Sequence, residues 1–177
     1  SAQPSDINVS RTINANSNQV QLNVDGQDRP HIAWNESGWD SEPDVAYVKW
    51  DGTNWVGANG TLYDPLTGAN ANVSRTTGLF SNLSGKFFIE NDGTVYITWQ
   101  QRTAAGNNEI YFVKWNPTLA NWVGANDVTI YNPALPVQPL QINVSRNTGN
   151  SMGASLFVDS RNDPHIVWAD NTWANYE

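Results

Sequence analysis

Seventeen carboxylates, nine Lys or Arg, two histidines and no cysteine make up most of the reactive side chains of this 177-residue sequence. Without cysteine there is no thiolate nucleophile, no thiolate metal ligand and no disulfide. Cleaving a glycoside by acid–base chemistry needs two carboxyl groups across a pocket. Glu36, Asp40, Glu42, Asp44 and Glu109 single out no such pair, because Glu109 matches Asp44 within a repeat. His31 and His165 also match each other, and Tyr96 stands at the equivalent place between them. A place filled by His or Tyr calls for packing with a polar tip rather than for a base or a metal ligand. Asp25-Gly26-Gln27-Asp28 and Asp159-Ser160-Arg161-Asn162-Asp163 offer the oxygen ligands that calcium takes, yet turn chemistry alone asks for these residues. No catalytic residue and no metal ligand set is expected, and calcium is the cofactor the composition would admit.

Arginine and tryptophan carry the remaining chemistry. Arg11, Arg75 and Arg146 could form a clamp for an acidic sugar, since each guanidinium binds a carboxylate through two parallel bonds. Each, however, ends the same Asn-Val-Ser-Arg run. An acid also recurs nine residues before a key tryptophan, as Asp25, Glu90 and Asp159 ahead of Trp34, Trp99 and Trp168. These are read as structural repeat positions, with the arginines bracing carboxylates or carbonyls. Trp50, Trp55, Trp115 and Trp122 recur in the same way and are assigned to the core. Trp39 and Trp173 have no tryptophan counterpart in the second unit. An indole in a polar loop presents an apolar face to a sugar ring beside groups that reach its hydroxyls. Trp39, Asp40 and Trp173 are therefore the candidate ligand-binding residues.

The elements that must position these residues follow from the repeat. The three Asn-Val-Ser-Arg runs start at Asn8, Asn72 and Asn143. Val24 to Trp34 returns as Ile89 to Trp99 and as Val158 to Trp168, and Ala46-Tyr47-Val48-Lys49-Trp50 returns as Tyr111-Phe112-Val113-Lys114-Trp115. Asn54 to Asn59 returns as Asn121 to Asn126. Val20-Gln21-Leu22-Asn23-Val24 alternates apolar and polar, the pattern of a half-buried strand. Asp25-Gly26, Asp92-Gly93 and Asp51-Gly52 mark hairpins. Four antiparallel strands per unit of 65–70 residues, copied in tandem, predict an all-β fold of β-propeller-type blades. The units are 1–71, 72–142 and a partial 143–177, so about two and a half are present. That number cannot close a ring, which predicts that other copies of the chain, or a missing remainder of the same protein, complete it.

The formal charge of -8 excludes the basic face that nucleic acid requires and an electrostatic hold on anionic lipid. No apolar run is long enough to span a bilayer. The Asn, Thr and Trp content points to an extracellular or cell-surface setting. The blocks Val24–Trp34, Val158–Trp168 and Val45–Trp55 resemble repeats of secreted prokaryotic β-propeller proteins of the sialidase-like, Asp-box-like type. Asp51-Gly52-Thr53-Asn54-Trp55 lacks one spacer and the leading Ser of that box, and Asn116 to Trp122 lacks its Asp and Gly, so sialidase activity is not implied. The expected function is a non-catalytic module that binds a glycan or protein or assembles with itself. The alternatives are part of a sialidase-like glycoside hydrolase and a structural subunit of a surface array or filament.

Overall fold

A computed structural model describes residues 8–135 and 137–172, and every regular element among them is a strand. In the first sheet β1 (Ser17–Val24), β2 (Pro30–Glu36), β3 (Asp44–Trp50) and β4 (Trp55–Val56) lie side by side in chain order. In the second, β5 (Ser81–Asn82) and β6 (Phe87–Ile89) both pair with β7 (Val95–Arg102), which β8 (Asn108–Asn116) and β9 (Asn121–Val123) follow. The third is the hairpin of β10 (Ser151–Val158) and β11 (Pro164–Asp170). All pairings between these strands are antiparallel.

The same local chemistry sets each turn and register. Asp25 Oδ1 accepts from the amides of Gln27 at 2.9 Å and Arg29 at 3.0 Å, and Asp159 Oδ1 does so from Arg161 at 2.9 Å and Asp163 at 3.1 Å. The pairs Val24↔Pro30, Ile89↔Val95 and Val158↔Pro164 then open each hairpin at the same place. β1 and β10 each carry a bulge, at Gln19 with φ 51° and Gly153 with φ 65°. The repeat predicts one strand at the corresponding place of the second unit, and the structure divides it into β5 and β6. Gly85 lies in the gap, where an added Cβ would come within 2.3 Å of Thr98 Oγ1, so only glycine lets the chain pass that close.

The Asn-Val-Ser-Arg runs close sheet edges. β4 covers only the end of β3, at Lys49 and Trp50. The rest of that edge is taken by the second run: the Tyr47 amide donates to Ala71 O at 2.9 Å and the Val73 amide to Val45 O at 2.8 Å. The third run does the same for β8, through Phe112 to Ile142 O at 2.8 Å and Val144 to Ile110 O at 2.9 Å. Thus the residues that begin a unit in the sequence are hydrogen-bonded to the sheet before it. Each arginine of the runs has a left-handed backbone, with φ 49° at Arg11, 50° at Arg75 and 42° at Arg146. Its amide donates to the run's Asn Oδ1, at 3.1, 2.7 and 3.0 Å respectively. Two of the side chains lie on tyrosine rings, Arg11 on Tyr63 at 5.3 Å and Arg75 on Tyr131 at 5.2 Å. Those tyrosines reach back: Tyr63 Oη donates to Ser10 O at 2.6 Å and Tyr131 Oη donates to Ser74 O. Tyr131 follows β9 of the second sheet, so this lock fastens that sheet to the segment closing the first.

The sheets stack in layers. Ala33, Val45 and Tyr47 of the first pack against Ile97, Trp99, Tyr111, Val113 and Trp122 of the second. Tyr96 and Phe112 on the second sheet's other face meet Leu156 and Val158 of the third. Trp34 lies on the face of the first sheet turned away from the second, with Tyr63, Trp39 and Trp55. Arg75→Leu keeps the left-handed backbone but removes the ring contact and the bond to Tyr131 O, at 3.1 Å. It should cost about 1–2 kcal/mol, a fall in Tm of roughly 3–6 °C. Arg146, which stacks on no ring among the described residues, should give a markedly smaller shift in the same melt as Arg146→Leu.

Candidate functional site

The buried acids serve the fold. Glu36 Oε2 accepts from Trp34 Nε1 at 3.0 Å and Ser17 Oγ at 2.8 Å. Gln101 Oε1 takes the same two bonds, from Trp99 Nε1 at 3.0 Å and Ser81 Oγ at 2.8 Å, and Ser151 Oγ donates to Asp170 Oδ2 at 2.9 Å. Asp44 accepts from Ser74 Oγ at 2.5 Å and Asn72 Nδ2 at 2.7 Å, and Glu109 accepts from Ser145 Oγ. Each of these carboxylates is thus an acceptor for a neighbouring edge or strand. His31 is buried, with Nδ1 at 2.6 Å from Tyr47 Oη and Nε2 at 3.3 Å from Asp25 Oδ2. Among the described residues no three His, Asp or Glu are arranged to hold a metal.

Trp39 leaves the loop after β2 and lies over Gly68, edge to Tyr63 at 6.5 Å, with Nε1 donating to Pro65 O at 3.2 Å. Asp40 accepts from the amides of Glu42 at 2.7 Å and Gly78 at 3.2 Å. Trp173, the third residue of that expected set, lies outside the described residues. Trp39 and Asp40 are therefore occupied at the β2–β3 end of the first sheet.

The grooves of greatest chemical interest open at the opposite end. Between the first and second sheets a groove of about 370 Å³ is lined by Arg29, Lys49, Asn59, Asp92, Thr94 and Trp115. A smaller recess of about 230 Å³ adjoins it across Asn59 and Trp115 and adds Asn70 and Asn121. Between the second and third sheets the repeat-related groove, of about 400 Å³, holds Lys114, Asp127, Arg161 and Asp163, again beside Trp115. Trp115 lies at the end of β8, half-buried, with its ring 5.3 Å from Trp122 and nearly perpendicular to it. It lines all three spaces.

The two large grooves differ in charge. Lys114 Nζ is paired with Asp127 at 2.5 Å and sits over the Tyr96 ring at 5.7 Å. Gly60 stands where the repeat would put that aspartate, and Lys49, the counterpart of Lys114, has no carboxylate partner among the described residues. Burial, and secondarily the nearby Arg29, lower the Lys49 pKa from its ordinary value. Arg29 itself is held by Asp25 at 2.6 Å. Sequence reasoning assigned Trp115 to the core because it recurs, and it does pack, half-buried, against the core cluster. What sets its surroundings apart from those of Trp50 is the loss of repeat symmetry, Gly60 against Asp127 and Pro117 against Gly52.

No family model matches this chain, and no curated protein matches it. Among solved structures a fucose lectin from Kordia zhangzhouensis, in complex with methyl-fucoside, aligns at 16% identity with a TM-score of 0.46. The alignment covers 88% of this chain and 86% of that one. A likeness at that distance fixes neither ring closure nor a ligand. The structure itself defines an all-β protein of antiparallel sheets in tandem repeat.

Two buried acids should pull stability in opposite directions with pH. Burial raises the Asp44 carboxyl to about 6, against the bonds from Ser74 and Asn72. Its folded pKa exceeds the unfolded value, so its contribution to stability falls as pH rises from about 4 to 6. Burial also acts to raise Asp25, but the bonds from Arg29, Gln27 and His31 outweigh it and hold the carboxyl well below the usual range. Its contribution is present above about pH 4 and is lost on acidification. Thermal melts between about pH 2 and 7 should show Asp44→Asn flattening the decline toward neutral pH. Asp25→Asn should flatten the loss at the acid end.

Proposed function

We propose that this chain is an extracellular glycan-binding module, built of propeller-type blades that correspond to the units 1–71, 72–142 and 143–177. The observation that carries the reading is Trp115, an accessible indole shared by adjoining inter-sheet grooves that are otherwise lined by amides, hydroxyls and charges. A pyranose has a face of C–H bonds and an equator of hydroxyls. The indole offers the apolar partner for the first, and Asn59, Asn70, Asn121 and Thr94 offer partners for the second. The groove of about 370 Å³ is within the size range of small-ligand sites. Trp39 and Asp40, the residues expected from the sequence, are a secondary candidate at the far end of the first sheet.

A second reading concerns partners, and the third sheet favours it. His165 and Val167 occupy the places of His31 and Ala33. The His31 and Ala33 side chains are 1% and 0% exposed where the second sheet covers them, whereas His165 is 58% and Val167 68% exposed. Phe157 on the same hairpin is 61% exposed. A face of this composition is stable in water when another sheet covers it. We infer that a further sheet, from another copy or from more of the same protein, packs there as the second sheet packs on the first.

On a glycan array with methyl-fucoside among the probes, Trp115→Ala should weaken any bound saccharide by at least about tenfold, roughly 1.4 kcal/mol. Trp39→Ala should leave it within about twofold. Unchanged binding in Trp115→Ala would place the site elsewhere. In sedimentation, Val167→Glu should shift the protein toward the monomer if another copy covers this face; identical profiles for the two proteins would remove the second copy as the partner and leave only more of the same protein.

A further inference from the structure

We propose that the second sheet carries a pocket for a planar aromatic ligand of indole size. The argument is a comparison of two equivalent places in the repeat. In the first sheet the space between the β2–β3 loop and the segment after β4 is filled by the Trp39 ring. A Cβ added at Gly68 would come within 2.4 Å of that ring, which shows how closely backbone and indole are stacked. In the second sheet the residue five positions after Trp99, as Trp39 is five after Trp34, is Ala104. The walls persist: Tyr131 and Pro133 stand for Tyr63 and Pro65, and Tyr131 is held by the same serine carbonyl and arginine as Tyr63.

The indole is missing and the space remains. A cavity of about 220 Å³ is lined by Ala104, Tyr131, Pro133, Leu135 and Gln138, with Thr76 beside them. The segment from Tyr131 to Asn143 is three residues longer than that from Tyr63 to Asn72, yet it leaves this volume open. A cavity of roughly 150 Å³ takes up benzene, and this larger space, which opens at the surface and is bordered also by Gln101, Arg102 and Thr103, has the size of a two-ring system.

Gln138 closes one side of the space. It is 4% exposed, and its Nε2 donates to Asn132 O at 2.7 Å and to Leu135 O at 3.3 Å, which fixes its side chain against the longer segment. Its Oε1 is enclosed by protein and makes no bond, so the shape of the space, not a donor–acceptor pair, sets what it can take. The site is separate from the Trp115 grooves, which lie at the other end of the sheets, and does not depend on the glycan reading.

The test is calorimetric titration with indole. Indole should saturate a single site. Ala104→Trp, which supplies the ring that Trp39 supplies in the first sheet, should abolish binding, and Trp115→Ala should leave it unchanged. Absence of saturation up to the solubility of indole would overturn the proposal without recourse to any variant. Binding that survives in Ala104→Trp or is lost in Trp115→Ala would overturn it as well.

Discussion

The Asn-Val-Ser-Arg segment is the joint on which the rest of the structure depends. A sheet edge leaves backbone donors and acceptors unpaired, and burying them unpaired is costly. The second and third runs pair them along β3 and β8, and their serines satisfy the buried Asp44 and Glu109 behind those edges. The arginine that ends each run turns the chain through a left-handed backbone, which an L residue adopts only at a cost. At Arg75 the side chain also holds Tyr131, which follows the second sheet, so the second run closes one layer and fastens the next; Arg11 holds Tyr63 of its own unit.

Stacking on that joint explains why the grooves lie where they do. The layers meet through apolar faces at mid-strand, with Tyr47 edge-on to Trp122 at 5.7 Å and to Phe87 at 6.3 Å. Toward the hairpin ends the faces part, and the turns before β2, β7 and β11 stand opposite the ends of β3 and β8. In the turns before β2 and β11 an aspartate accepts from two amides, and in that before β7 Asp92 Oδ1 accepts from the Thr94 amide at 2.8 Å. Side chains placed on such turns keep fixed separations across the gap, as a binding surface requires. Gly57 and Gly124 serve the same layering. An added Cβ would come within 1.9 Å of Asn70 O or 2.6 Å of Gln141 O, so glycine there lets the return segment lie against the hairpin.

Repetition also makes departures from it informative. Where two units agree, as in the tryptophan that donates to Glu36 and the one that donates to Gln101, the shared contact belongs to the fold. Where they differ, something local has changed: Gly60 for Asp127 leaves Lys49 without the partner that Lys114 has, and Ala104 for Trp39 leaves a cavity beside Gln138. Both candidate sites were found at such differences.

Strands, hairpins and their order were legible in the residues, because period-two alternation and Asp-Gly turns act over a few neighbours and the repeat shows them more than once. His31 is packed between Tyr47 and Asp25, whereas its repeat equivalent His165 is 58% exposed on the uncovered third sheet. Which sheet an Asn-Val-Ser-Arg run belongs to was not legible, since hydrogen bonding to β3 or β8 joins residues about 24 to 34 positions apart and leaves no mark on local pattern. Nor could the sequence alone rank Trp39 against Trp115. A polar loop and a hydrophobic strand end suggest one indole exposed and the other buried; the tertiary structure lays the first on Gly68 and opens a groove beside the second. Exposure is decided by what arrives from distant parts of the chain, and only the stacked sheets determine that.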